Sequence, residues 1–360
     1  MMSPHFPAGR CNLGMTSRER MLAAVHGEQP DRLPVSPWGF GKVPIESAVG
    51  QELLDKTDPF VDIGLGCDPV GGALWAPVEA VVGAKRRVRV TLADRELTAT
   101  FTTTLQTTAA TEYLCKSADD LRAVMAAPYV EPAPDLAAYH ALRARIGERG
   151  LVILGFGTPL NYLHDMLGPE LCCRLWADEP DLLVWAAEIA AKRTARVIER
   201  ACAGGVDCLR FYGGEYATEL MGPRAWERLV VPFDQPLVKL IHSFGGLAHY
   251  HNHGRMSRWI ERIAALGVDS LDPVEQPPYG DLPMAEAWRR VGSRMCLVGG
   301  LDDMEVLETR PWGEVEALAR QVLESVGKTR FMLGGTSSSL FGERGARHFI
   351  RLASLVLEYS

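Results

Sequence analysis

Three histidines stand at alternate positions in the stretch Gly245-Gly-Leu-Ala-His-Tyr-His-Asn-His-Gly254, namely His249, His251 and His253. In an extended chain, residues two apart share a face. A strand over 247–252 would therefore turn His249 and His251 the same way, and His253 joins them if the extended run continues. Gly254 lets the backbone turn sharply straight after. Neutral imidazoles at this spacing are suited to zinc. The same run also describes polar residues at a strand end with no metal, so the elements around it must decide.

Those elements alternate. Short apolar strands are expected at 33–38, 61–68, 151–156, 206–212, 247–252, 268–272, 295–299 and 331–335, with glycine or proline loops and amphipathic helices between them. The first helix opens at Thr16-Ser-Arg-Glu19, where Thr16 or Ser17 caps and Glu19 stands where a capping-box acid belongs. Strands alternating with helices imply a parallel sheet, and about eight such units fit a (β/α)8 TIM barrel. One stretch breaks the rhythm. The alternating, β-branched segments Lys85 to Leu92 and Glu96 to Leu105, with a turn at Ala93-Asp-Arg95, read as an inserted antiparallel β-hairpin within 85–114. Residues 1–15 read as a flexible lead and 16–360 as a single domain.

Such a barrel places its chemistry at the C-terminal strand ends. Here those ends carry Trp38, Asp68, the 157–162 loop with Tyr162, Glu215, the histidine triplet, Asp272, Asp302 and Thr336. Asp68 reads equally as a site residue and as the cap of the next turn. The chain, 360 residues with 47% hydrophobic and 23% charged side chains, is long enough for one large α/β domain. Its net charge of −7 gives no argument for nucleic acid. No apolar run is long enough to span a membrane, and Met1 to Leu13 lacks the apolar core of a secretory signal. The eight cysteines form no disulfide framework and are expected to be reduced, in a cytoplasm. Cys172 and Cys173, adjacent on a helix, read as packing residues.

The order of motifs resembles the uroporphyrinogen decarboxylase superfamily, which includes zinc-dependent methyltransferases that work with corrinoid proteins or thiols. The resemblance runs from Ser17 to Glu358. It rests on Ser17-Arg-Glu-Arg-Met-Leu-Ala-Ala with Pro30-Asp-Arg-Leu-Pro-Val, on Gly155-Phe-Gly-Thr-Pro159, on His251-Asn-His-Gly254, on Val298-Gly-Gly-Leu-Asp302 and on Met332-Leu-Gly-Gly-Thr336. It implies a (β/α)8 barrel with its cleft at the C-terminal mouth. The porphyrinogen decarboxylases carry an arginine-rich segment after the first strand. Here that place reads Trp38-Gly-Phe-Gly-Lys-Val-Pro44, with Lys42 its one basic residue, so a polyanionic tetrapyrrole has little to hold it. The methyltransferase branch carries His-x-Cys and a later cysteine as zinc ligands. This chain has His251-x-His253 and no cysteine near Gly335-Thr336, and so departs from that set at two of three ligands.

The resemblance to the methyltransferase branch implies a zinc-dependent methyltransferase that moves a methyl group between a small O- or S-methyl compound, or a thiol or alcohol acceptor, and a corrinoid on a separate protein. On that reading His251, His253 and Glu215 hold the metal. Glu215, Tyr162 and Asp302 serve catalysis, and Trp38, Asp68, Tyr162 and Asp302 meet the substrate. His249, one step deeper, is expected behind the site. A metal-independent decarboxylase or lyase acting on a small carboxylic acid is the alternative, and a ligand-binding barrel without turnover a third class. Assembly as a homodimer stays open.

Overall fold

The computed structural model describes residues 14–72, 78–92, 94–104, 108–336 and 339–359. Most of the expected lead over 1–15, and Ala93 of the expected turn, fall outside them. The described residues form twelve strands: β1 (Val35–Ser36), β2 (Phe60–Gly64), β3 (Val78–Val82), β4 (Lys85–Thr91), β5 (Glu96–Thr103), β6 (Thr108–Glu112), β7 (Leu151–Gly157), β8 (Cys208–Tyr212), β9 (Leu247–His251), β10 (Ser270–Val274), β11 (Cys296–Gly300) and β12 (Phe331–Gly334). Eight make one parallel sheet in the order β1-β12-β11-β10-β9-β8-β7-β2. The sheet is curled, as in a TIM barrel. Its edges, β1 and β2, share no ladder. They meet at one parallel bridge, Trp38 to Phe60, where Gly39 N–H donates to Phe60 O at 2.7 Å and Phe60 N–H to Pro37 O at 3.1 Å. Pro34 and Pro37 flank β1, which is why the strand expected over 33–38 shrinks to two residues; proline cannot donate to a ladder.

The inserted unit is larger than a hairpin. It is a separate antiparallel sheet, β3-β4-β5-β6. The outer strand β6, Thr-Ala-Ala-Thr-Glu, shows no apolar alternation to betray it. It is held by its ladder to β5 and by Glu112, whose carboxylate accepts from the Thr98 and Thr100 hydroxyls at 3.1 and 2.8 Å.

Side chains on the strands alternate between two cores. Outward residues such as Leu154, Leu209, Ala248 and Leu297 pack under the surrounding helices. Inward residues, among them Phe60, Ile153, Cys208, Leu247, Val298 and Met332, fill the interior with Trp38 and with Met21, Ala24 and Val25 of the first helix, Ser17–His26. That helix plugs the N-terminal end, and its start carries the expected capping box between Thr16 and Glu19. Two further motif residues explain its seat. Arg20 binds Asp31 at 2.6 Å and Asp58 at 2.7 Å, and Arg32 binds the other oxygen of Asp58 at 2.7 Å. Asp58, fully buried, also accepts from Val35 N–H at 3.0 Å.

Candidate active site at the C-terminal mouth

Strand register builds the site. In the parallel ladder Gly155 lies beside Arg210, Arg210 beside His249, His249 beside Ser270, and His251 beside Asp272. These positions point inward, and above the apolar layers the interior becomes polar. His249 is fully buried between Trp38 and Phe60, with ring centroids at 5.6 and 5.2 Å. Its Nε2–H donates to Asp272 Oδ1 at 2.5 Å, and its Nδ1 pairs with the Ser270 hydroxyl at 2.7 Å. It supports Asp272 from below.

Asp272 anchors the cluster. Burial alone would push its carboxyl up, but His251, His249 and Arg210 outweigh burial and hold it well below the usual range, so it is ionised. The Arg210 guanidinium lies 3.9 Å from the Trp38 ring, 3.6 Å from Asp272 Oδ2 and 3.7 Å from Asp62 Oδ2, and donates to His251 Nδ1 at 2.7 Å. Its Nε is buried without a partner. His251 Nδ1 is also 3.1 Å from Asp272 Oδ1. A guanidinium only donates. Accepting from Arg210 puts the ring proton on Nε2, whereas donating to Asp272 leaves a lone pair on Nε2. Burial first, helped by Arg210 and against the pull of Asp272, lowers the His251 pKa to about 4, so the ring is neutral.

Nearer solvent the cluster opens. The Asp62 side chain keeps 38% of its surface exposed, yet burial raises its pKa against the pull of Arg210. A group both accessible and desolvated is what a concave wall produces. His253 does not lie on the histidine strand, because β9 ends at His251. The three histidines therefore do not share one strand face as expected. Its ring still meets His251 edge-on, with centroids 4.6 Å apart. Its Nδ1 lies 3.2 Å from Glu275 Oε1. Burial opposes its charge, but the hydrogen bond and charge of Glu275 prevail and the His253 pKa rises.

Glu215 does not end a strand. β8 stops at Tyr212, and Gly213 and Gly214 turn the chain before Glu215 opens a π-helical turn, Tyr216–Met221. Both glycines are required: a Cβ at Gly213 would meet Asn161 at 2.4 Å, and one at Gly214 would meet Asn252 at 2.5 Å. Glu215 Oε2 is buried without a hydrogen-bond partner, and burial raises its pKa against the pull of His253, His164 and Arg210.

Other expected site residues are placed as follows. Tyr162 is not in a loop: Thr158 caps and Pro159 starts the helix Pro159–Asp178, and the Tyr162 hydroxyl accepts from Gly157 N–H at 3.2 Å. Asp68 lies beyond β2 and caps a turn, taking Val70 and Gly71 N–H at 2.9 Å each. Asp302 caps the turn 303–308 through Met304 and Glu305 N–H at 2.8 and 2.6 Å. Trp38 is the floor under Arg210, and Thr336 accepts from Asp303 N–H at 3.4 Å.

For zinc, the donor chemistry fits in kind. In one tautomer each, His251 and His253 present Nε2 with a carboxylate behind Nδ1, the usual support of a metal-bound imidazole, and Glu215 has an orphaned oxygen. Among the described residues, however, no three His, Cys, Asp or Glu side chains are arranged so as to hold a metal ion. The described cysteines are free thiols, and burial, with Asp68 beside it, lifts Cys67 to about 11.

Sequence reasoning missed Arg210, Asp62 and Glu275. The signal for the first two was a charge at inward parity in an otherwise apolar strand, Cys-Leu-Arg-Phe-Tyr and Phe-Val-Asp-Ile-Gly, which needs a partner when buried.

Fold and mouth together define a TIM-barrel-like α/β protein with a charged, histidine-rich cluster at the strand C-termini. The chain belongs to the uroporphyrinogen decarboxylase family, whose profile matches residues 103–335. Among solved structures it is similar to a methyltransferase from Methanosarcina mazei, at 15% identity and a TM-score of 0.64, covering 96% of this chain and 100% of that one. It also matches a B12-independent methionine synthase from Shewanella sp. W3-18-1 at 11% identity, covering 77% of this chain and 76% of that one. The TM-score there is 0.43, too low to carry an argument. No curated protein matches the sequence.

Proposed function

We propose that the protein is a methyltransferase whose substrate oxygen or sulfur is activated at His251, His253 and Glu215, with zinc held by these residues and the methyl group exchanged with a corrinoid on a partner protein. The observation that carries this reading is the His251 ring, held between Arg210 and Asp272 and meeting the His253 ring edge-on at 4.6 Å. The fold shared with the Methanosarcina mazei methyltransferase supports it. Zinc bound there would supply Lewis-acid polarisation of the substrate heteroatom. The chain's own residues do the rest. Asp272, accepting from Nδ1–H, selects the His251 tautomer that leaves Nε2 open for the metal, against the donor Arg210 on the same nitrogen, and His249 keeps Asp272 ionised and fixed. Glu215 is the third ligand or, standing off the metal, the base that takes a proton from the substrate heteroatom. Glu275 orients His253 through Nδ1.

Metal analysis of protein purified without a histidine tag tests the reading. About one zinc per chain is expected, lost in both His251→Ala and His253→Ala and kept in His249→Ala. Retention of stoichiometric metal in both of the first two variants, or no zinc in wild-type protein supplied with it, overturns the assignment. One observation favours the alternative, a metal-free lyase of a small carboxylic acid: the unpartnered Nε of Arg210 is a donor a carboxylate could take. A metal-free enzyme that releases CO2 from such an acid, and stops doing so in Arg210→Met, would decide for it.

A further inference from the structure

Between the antiparallel sheet and the ends of β2 and β7 lies a cavity of about 880 Å3. Its floor is bare backbone, because the inward positions there are glycines, Gly64 and Gly155, paired in register. Its roof is the apolar face of the sheet, where Val88 pairs with Ala99 and Arg86 with Phe101; Thr98 and Thr100 of β5 face the other way and bond Glu112 of β6. Two phenol rings, Tyr162 and Tyr212, complete the wall. The inner end reaches the charged cluster: a Cβ on Gly155 would lie 3.2 Å from Asp62 Oδ1 and 3.6 Å from the Tyr212 ring.

The charges around this space are already engaged. Asp68 holds two backbone N–H groups, Asp165 accepts from the Asn161 amide at 2.9 Å, and the Arg86 guanidinium lies 4.5 Å over the Phe101 ring. Arg210 faces both Asp62 and Asp272. Among the described lining residues a charged ligand would find no uncommitted charge, since the unpartnered Nε of Arg210 is buried and no part of the lining, while an apolar ring would find apolar and aromatic walls. A one-carbon alcohol would leave most of the space unfilled.

We propose that this cavity binds a neutral aromatic ring carrying a hydroxyl or methoxy group, the ring under the sheet between Phe101, Tyr162 and Tyr212 and the oxygen turned toward Asp62 and Arg210. The proposal deepens the methyltransferase reading by naming the substrate class, and it rests on that reading only for the reaction. The occupancy itself needs neither metal nor corrinoid.

The test is calorimetric titration of the full chain with 2-methoxyphenol and with methanol. The aromatic ether is expected to bind at least about tenfold more tightly. A Cβ added at Gly64 would meet nothing within 4 Å, and its φ is ordinary, so Gly64→Leu projects into the cavity without disturbing the backbone. It should weaken 2-methoxyphenol about tenfold or more at unchanged Tm. Phe101→Ala, which only removes a half-buried ring, should weaken it severalfold and decides the matter should Gly64→Leu fail to fold. Equal binding of the two ligands, or wild-type affinity in a folded variant, overturns the proposal. Zinc content measured on the same samples separates this outcome from failure of the metal assignment.

Discussion

Asp234 shows how much one buried group can impose. It is fully buried beneath the outer face of β9, one oxygen accepting from the Tyr250 hydroxyl at 3.0 Å and the other without a partner. Burial, only partly offset by that hydrogen bond, raises its pKa from 3.8 to about 8. The folded chain therefore holds a proton that the unfolded chain has lost over the window between those values. Its contribution to stability is full at acid pH and drains away as pH rises through the folded value, with a slope of up to about 1.4 kcal/mol per pH unit. Asp234→Asn keeps an acceptor for Tyr250 and removes the titration. Its stability gain over wild type in urea unfolding should grow from about pH 5 to about pH 8; a difference that is flat or shrinks across that range would contradict the assignment. Legibility at this scale was uneven. His251 stood out as a polar residue at a strand end, whereas Arg210 and Asp62 looked like interruptions of apolar strands until register set them side by side.

Elements were easier to read than their junctions. The parallel strands and the long helices announce themselves by period, but three junctions differ from expectation for local reasons. Thr158-Pro159 starts a helix where a loop was expected, because Thr158 caps Asn161 N–H at 3.1 Å and proline suits the first turn. β9 ends at His251, so His253 leaves the strand face. Glu215 stands past a glycine pair and not at the end of β8. The Ser-Arg-Glu-Arg and Pro-Asp-Arg motifs that marked the family turn out to be a clamp: Arg20 and Arg32 hold Asp58 at the closed end, with Asp31 binding Arg20, far in sequence from the histidines. Removing one partner of a buried ion pair costs about 3–5 kcal/mol. Arg20→Ala should lose about 3 kcal/mol of unfolding free energy and leave zinc content and aromatic binding in the folded fraction unchanged. An equally stable variant would mean that Arg32 alone neutralises Asp58.

For the whole molecule, the charge arrangement limits what the mouth can accept. Lys42 is exposed and Arg210 is balanced by Asp62 and Asp272, so the carboxylates of uroporphyrinogen would enter largely unpaired, at about 1–3 kcal/mol each. Incubation with uroporphyrinogen is expected to yield no coproporphyrinogen, and its detection would reverse this reading despite the family's name. Among the described residues no helix is long and apolar enough to cross a membrane.

The seam between β1 and β2 has a consequence for how the chain acquires this shape. Strand order follows chain order from β2 round to β12, so β1 finds its ladder only in β12, Val35 against Leu333 and Ser36 against Gly334. That partner emerges about 300 residues later in synthesis. Until then the first strand is tied to its neighbour by one bridge, and the helix that plugs the interior covers an unfinished sheet. The most non-local contact in the sheet is thus the last to become available, and closing it carries the loop entropy of almost the entire chain. Folding must wait for the C-terminus, and a ribosome-bound or truncated chain exposes the apolar edge of β11 in the meantime.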